Sequence, residues 1–147
     1  MISITRADPQ DFVALLQASD RYMASLYPAE SNHMLDVETL RQPQMNFFGA
    51  YVDGAPRGCG GFWAHQNYVE IKRVFVDPSA RGLGLSKALM QTLEEAARAL
   101  GFRIAKLETG IHQPEALGLY QKLGYRFCEP FGEYKPDPLS VFMEKAL

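Results

Sequence analysis

The stretch Val74-Phe75-Val76-Asp77-Pro78-Ser79-Ala80-Arg81-Gly82-Leu83-Gly84-Leu85-Ser86-Lys87 decides how the chain is read. An apolar strand ends at Val76, Asp77-Pro78 stops it, and a helix opens at the glycines. Leu85, Leu89, Leu93, Ala96 and Leu100 mark one face of that helix, and Gly101 follows as its C-cap glycine. Glycines let a ligand approach the backbone closely. The first amides of a helix have no internal partner and sit at the positive end of its dipole. A strand, a glycine loop and a helix in this order make an anion site, best suited to a phosphate or pyrophosphate. Charge agrees locally. Residues 70–87 carry Lys72, Arg73, Arg81 and Lys87 against Glu70 and Asp77, an excess of two positive charges in a chain whose net charge is −2. Two familiar phosphate loops do not fit. A Walker A loop needs four residues between its glycines and then Gly-Lys-Ser/Thr. A dinucleotide fingerprint needs glycine where Lys87 stands.

Working outward, residues 68–76 alternate, with Val69, Ile71, Arg73 and Phe75 on one face and Glu70, Lys72, Val74 and Val76 on the other. Upstream, residues 45–52 and 58–64 read as strands joined by the hairpin signal Asp53-Gly54, and Gln66-Asn67 marks the next turn. Residues 1–5 read as a first strand. A helix follows from Asp8-Pro9 through Phe12, Leu15, Leu16 and Met23 to about Tyr27-Pro28. Residues 29–33 form a polar loop, and a short helix runs from Asp36 to about Arg41. Downstream come a strand over 103–108, a helix over 114–123 closed by Gly124, a short strand over 125–128 and a last strand over 140–144. The order β-α-α-β-β-β-α-β-α-β-β predicts an α/β (α+β) architecture, a mixed and mostly antiparallel sheet with helices on both faces.

Composition sets the outer limits. A length of 147 residues predicts one domain, residues 1–147. With 47% apolar and 22% charged residues the chain is globular and not disordered. No apolar run reaches the roughly 18 residues of a membrane span, and the first residues lack the apolar core of a signal peptide. A cytoplasmic protein with no membrane partner is expected. Cys59 and Cys128 form no CxxC pair, and with three scattered histidines no metal is expected. Seventeen acidic against fifteen basic residues argue against a nucleic-acid partner.

Arg81-Gly82-Leu83-Gly84-Leu85-Ser86 resembles the Arg/Gln-x-x-Gly-x-Gly/Ala motif of the GNAT superfamily of acetyl-CoA-dependent N-acetyltransferases. The segment from Gln113 to Tyr125, with Ala116, Leu119-Tyr120, Gly124 and Tyr125, resembles that family's Asn-x-x-Ala-x-x-Leu-Tyr-x-x-x-Gly-Phe segment. The two motifs lie at a family-like separation. Ser86 stands where glycine or alanine is usual, and Gln113 where asparagine usually contacts the pantetheine arm. The resemblance implies a GNAT fold and acetyl-CoA, that is, coenzyme A as the acyl carrier, as cosubstrate. The cofactor would lie on Val74, Phe75, Val76, Arg81, Gly82, Leu83, Gly84, Leu85, Ser86, Lys87, Gln113 and Tyr120. It also implies direct attack by a primary amine of a small molecule or peptide in a ternary complex. A non-catalytic acyl-CoA-binding sensor or interaction module of the same fold is the rival reading, and a homodimer is left open.

The reaction needs a neutral amine, a stabilised carbonyl oxygen and a protonated or solvated leaving thiolate. Tyr120 aligns with the family's tyrosine near the cofactor sulfur and is the expected acid. It also falls on the apolar stripe Ala116, Leu119, Tyr120, Leu123, where a packing role competes. Glu70, four residues before Val74 on the strand expected to carry the acetyl group, is the first candidate base, and its competing role is a solvated strand glutamate paired with Lys72 or Arg103. Glu108 is the second candidate, with an ordered water as the third. The oxyanion donor is expected to be a backbone amide around residues 74–76. Tyr27, Glu30, His33, Glu108, Thr109 and Tyr134 are the expected acceptor-site residues, from the loop after the first helix, the end of the 103–108 strand and the segment before the last strand.

Overall fold

The structure, a computed structural model, describes residues 1–31 and 35–147. Its elements are β1 (Ile2–Arg6), α1 (Val13–Leu26), α2 (Val37–Leu40), β2 (Met45–Val52), β3 (Ala55–Ala64), β4 (Val69–Val76), α3 (Leu85–Ala99), β5 (Ile104–Gly110), α4 (Pro114–Lys122), β6 (Arg126–Phe127) and β7 (Ser140–Ala146). They build one seven-stranded sheet in the order β1-β2-β3-β4-β5-β7-β6. Only β4 and β5 pair in parallel; every other pairing is antiparallel. The parallel pair is the one that needs a crossover, and α3 supplies it. The expected mixed, mostly antiparallel sheet is the observed one.

The sheet separates two apolar clusters. Under α3 lie Phe48, Ala50, Phe62, Val69, Ile71, Leu107 and Met143, against Leu85, Leu89, Met90, Leu93 and Ala97 of the helix. Leu117, Tyr120 and Leu123 of α4 pack on the same cluster. On the other face Met45, Phe47 and Cys59 meet Phe12, Leu15 and Leu16 at the start of α1 and Leu40 of α2. Neighbours in one strand such as Phe47 and Phe48 go to opposite clusters, as a pleated strand requires.

Element edges differ from the sequence reading in instructive places. The helix expected from Asp8-Pro9 begins as a 3-10 turn, Pro9–Phe12, and becomes α-helical only at Val13. Asp8 caps that turn by accepting from the Gln10 N–H. β3 starts at Ala55 because its pairing with β2 continues through an irregularity opposite Ala50 and Tyr51. The strand expected over 125–128 shrinks to Arg126–Phe127, since Tyr125 turns inward, is buried, and sends its hydroxyl 3.0 Å to Glu94.

The main correction concerns β4. Cys59 pairs with Phe75 and Gly61 with Lys72, so Gly60 alone faces both Arg73 and Val74. This is a β-bulge, and it reverses the alternation beyond it. Val74 and Val76 therefore join Val69 and Ile71 in the cluster beneath α3, while Phe75 joins the cluster beneath α1. Glu70 consequently does not share a face with Val74 and Val76, as simple alternation had predicted. Arg73 takes the left-handed conformation the bulge demands, with φ 60°. Its guanidinium is tied to α1 through Asp20 at 2.7 Å and the Leu16 carbonyl at 3.3 Å.

The end of α1 is fixed just as tightly. Tyr27 is buried, and its hydroxyl accepts from the His112 N–H at 3.0 Å and donates to Gln113 Oε1 at 3.2 Å. A Cβ at Gly110 would lie 1.9 Å from that hydroxyl oxygen, so the last residue of β5 must lack a side chain. Gly110→Ala should cost about 1–3 kcal/mol, the range for overpacking. In a Tyr27→Ala background the same change should cost much less. Denaturant unfolding of the four proteins of this cycle checks the coupling; equal costs in both backgrounds would refute the contact.

Candidate active site

β4 and β5 pair only from Val69↔Ala105 to Ile71↔Leu107. Beyond Ile71 the two strands separate, and the β5-facing edge of β4 has no strand partner there among the described residues. The bulge at Arg73 and Val74 falls at the point of separation. Two concavities meet at this opening. They share Tyr22, Val74, Phe75, Gln113 and Tyr120.

The first is a groove of about 370 Å³ between β4, the glycine loop and α4. Of the residues expected to hold the cofactor, Val74, Phe75, Val76, Arg81, Gly82 and Gly84 line it, as do Leu85, Ser86, Lys87, Gln113 and Tyr120. Leu83 is the exception: half its surface is exposed and it is not part of that lining. Asp77 caps a 3-10 turn, Pro78–Ala80, by accepting from Ser79 N–H at 2.8 Å, and thereby fixes the turn into the loop. Gly82 and Gly84 have φ of 84° and 76°, and α3 begins directly after Gly84. The leading amides of α3 thus open onto the groove without intrahelical acceptors, beside exposed Arg81 and Lys87. This arrangement fits a pyrophosphate, and coenzyme A carries one.

The second concavity, about 120 Å³, is lined by Tyr27, Lys72, Glu108, Thr109, Tyr120 and Tyr134 among others. Four of the expected acceptor-site residues, Tyr27, Glu108, Thr109 and Tyr134, are therefore brought together. Glu30 is exposed in the turn Ala29–Ser31 and does not line it. His33 lies outside the described residues.

Glu108 projects from β5 and accepts from Ser140 Oγ at 2.9 Å. Burial pushes its carboxyl up to about 7, against that hydrogen bond and the charge of Lys72; the charges of Glu70 and Asp137 add to the rise. Tyr120 is pushed up to about 12 by burial and by Glu108, so its hydroxyl keeps its proton at neutral pH. Glu70 has a different setting. It is buried and does not line the cavity. Its Oε2 accepts from Lys72 Nζ at 3.1 Å and from the Tyr134 hydroxyl at 2.5 Å, and its Oε1 lies 3.0 Å from His65 Nε2. The Lys72 pairing of the competing role is present, but the carboxylate is buried where that role expected it solvated. The Cys59 thiol is buried and pushed up to about 12 by that burial, which removes it as a nucleophile near neutral pH.

Three wall residues escaped the sequence reading. Ser19, Tyr22 and Met23 of α1 line the cavity opposite β5. Their signal was present at helical spacing: Leu16, Ser19 and Met23 share one side of α1, and Ser19 is buried although polar. Arg73 also lines the cavity, at the bulge that alternation alone concealed.

Known proteins of similar sequence and shape converge on one group. The model of the acetyltransferase (GNAT) family matches residues 12–125. An IAA acetyltransferase of Azospirillum brasilense is 45% identical over 150 residues, which cover 99% of this chain and 98% of that protein. The solved structure of a candidate acyl-CoA N-acyltransferase from Klebsiella pneumoniae is 36% identical, has a TM-score of 0.85, and is matched over 98% of its length and all of this chain. A PaiA N-acetyltransferase of Thermoplasma acidophilum, solved in complex with coenzyme A, shares the fold at a TM-score of 0.75 and 17% identity, over all of this chain and 99% of that one. The match over most of the chain and the glycine-loop groove have one meaning: this protein belongs to the GNAT acetyltransferase family and is an acyltransferase of the acetyl-CoA type.

Proposed function

We propose that the enzyme transfers an acetyl group from acetyl-CoA to a primary amine by direct attack, with Glu108 as the base and Tyr120 as the acid. One observation carries this reading: the groove and the cavity join where β4 and β5 part, and Tyr120 belongs to both while Glu108 faces only the cavity. Acetyl-CoA supplies a thioester carbonyl when bound. The amides of Leu85, Ser86 and Lys87 would hold its pyrophosphate, with Arg81 and Lys87 beside them. The unpaired edge of β4 after Ile71 offers backbone N–H groups to the carbonyl oxygen.

The acceptor enters the cavity as an ammonium and must lose a proton before it attacks. Glu108 fits that task because burial has raised its proton affinity to near neutrality without pairing it to a cation. Tyr120 retains its proton and donates a hydrogen bond toward the leaving sulfur. The high pKa of Cys59 supports a ternary complex over an acetyl-enzyme. The chain acts as one domain. Glu30 would belong to the acceptor's outer approach. No helix among the described residues is long and apolar enough to cross a membrane.

Three outcomes are expected. Gly84→Asp places a bulky anion in the phosphate loop and should abolish acetyl-CoA binding in calorimetry; unchanged affinity would remove the groove assignment. Tyr120→Phe keeps the ring and its packing but loses the proton. Its single-turnover rate should fall roughly 10²-fold, the low end for loss of a general acid, with cofactor affinity unchanged. Glu108→Gln should remove the acidic limb of the kcat/KM profile. The base must be ionised to act, so wild-type activity should rise with pH through about 7, and the variant's loss should be greatest near neutrality and partly repaired at high pH, where the amine is already neutral. A uniform loss at every pH would make Glu108 a substrate-positioning group instead. A panel of amines, run beside IAA because the name of the Azospirillum brasilense relative carries it, tests for the acceptor by acetyl-CoA consumption.

A further inference from the structure

Glu108 is surrounded by groups that titrate or carry charge: Glu70 and Lys72 of β4, Tyr120 of α4, Tyr27 after α1, and Tyr134 and Asp137 before β7. Two cations line its cavity, Lys72 and Arg73. Arg73 is bound to Asp20 and to the Leu16 carbonyl. Lys72 is bonded instead to Glu70 and Tyr134. Its stem leaves β4 toward the cavity, its side chain is only 12% exposed, and Glu108 is an anionic neighbour once ionised. Among the described residues, however, no cation lies within ion-pair distance of Glu108.

The reason is a closed triangle. Lys72 Nζ donates to Glu70 Oε2 at 3.1 Å and to the Tyr134 hydroxyl oxygen at 2.8 Å. The Tyr134 hydroxyl donates to the same Oε2 at 2.5 Å. His65 Nε2 holds the other carboxylate oxygen at 3.0 Å, so Glu70 cannot rotate away without losing a partner on each side. Tyr134 is itself packed edge-on between Phe131 and Phe142, at 5.3 and 5.4 Å between ring centroids. The two partners of Lys72 are thus held from outside the triangle, Glu70 by His65 and Tyr134 by its packed ring.

We propose that Glu70 and Tyr134 are positioning residues that hold Lys72 off Glu108, and so keep Glu108 a strong proton acceptor instead of an ion-paired carboxylate. An ion-paired Glu108 would be ionised over a wider pH range but would be a weaker base. The charge of Glu70 acts in the same direction by repelling the ionised form. This inference rests on Glu108 serving as the base, and the test below separates the two.

The probe is the carboxyl ¹³C titration of Glu108 in glutamate-labelled protein without substrates, its resonance identified by its loss in Glu108→Gln. Tyr134→Phe is the decisive variant, because it changes no charge and keeps the ring packing. Its Glu108 midpoint should fall, and the fall should vanish when Lys72→Met is added. Glu70→Gln should lower the midpoint further, by about one unit or more, the scale for a cation released to within a few ångströms. That is roughly a tenfold change in proton affinity. The acidic limb of kcat/KM should move to lower pH by the same amount, with a lower plateau. An unmoved midpoint in folded Tyr134→Phe, or a fall that persists in the Lys72→Met background, overturns the proposal. If the carboxyl midpoint moves as stated while the rate profile stays in place, the restraint of Lys72 stands and the assignment of Glu108 as base fails.

Discussion

The site depends on one local constraint, the bulge that sets Arg73 and Val74 against Gly60 alone. A strand that kept its register would present the Glu70, Lys72, Val74 series to one face and continue alongside β5. The bulge breaks this series in the middle. Before it, Glu70 and Lys72 turn toward the α1 side of the sheet. After it, Val74 and Val76 turn under α3 and Phe75 under α1. The strand also bends there, and the β4–β5 ladder stops at Ile71↔Leu107. One extra residue thus creates the opening, frees an edge of backbone and separates the buried carboxylate network from the cofactor groove. A left-handed φ in a residue other than glycine is uphill by about 1–2 kcal/mol. Arg73 is held in it by Asp20 and the Leu16 carbonyl. Gly60 makes room opposite, since a Cβ there would lie 2.9 Å from a methyl of Val74.

The carboxylates of Glu70 and Glu108 are alike in chemistry and different in surroundings. Glu70 is the more deeply buried, yet three groups contact its oxygens. Glu108 is half-buried, yet among the described residues one hydroxyl, that of Ser140, is its hydrogen-bond donor. Burial without compensation raises a carboxyl's proton affinity, whereas hydrogen bonds and cations stabilise its ionised form. Glu70 is thus the deeper and the more fully partnered of the two, and Glu108 the less partnered. Under the proposed mechanism that divergence would give the two residues different roles on one strand pair.

Much of this was legible in the chain. The glycine loop, its position between strand and long helix, and the later Leu119-Tyr120 segment are local patterns, so spacing and end signals suffice to place them. Tyr27, Thr109, Glu108 and Tyr134 could be grouped because they fall at the ends of elements that face the same opening. What local spacing could not supply was register. The bulge is a property of β3 and β4 together, and nothing between Val69 and Val76 marks it except the glycines eight or more residues upstream. The partners of Glu70 posed the same difficulty. Lys72 lies two residues away and was a natural guess, but Tyr134 is 64 residues distant and His65 sits across a turn. Ser19 was missed for another reason: on a helix read for its apolar face, a serine looks like a neutral interruption, although its burial places it in a wall.

The wall built by α1 shows how the fold links stability to the site. Asp20 and the Leu16 carbonyl hold Arg73, and Tyr27 at the helix end holds the His112 amide and Gln113. One helix therefore grips β4 at the bulge and the loop into α4, the two sides of the opening. Between these grips Ser19, Tyr22 and Met23 face the cavity. A change in α1 that improved packing against the sheet but displaced either grip would shift the bulge or α4, and with α4 the Tyr120 hydroxyl. The proton transfer proposed for Tyr120 would tolerate little such movement, because a hydrogen bond weakens steeply with distance and angle. The α1 wall of the cavity is thus also a brace between β4 at the bulge and the loop into α4.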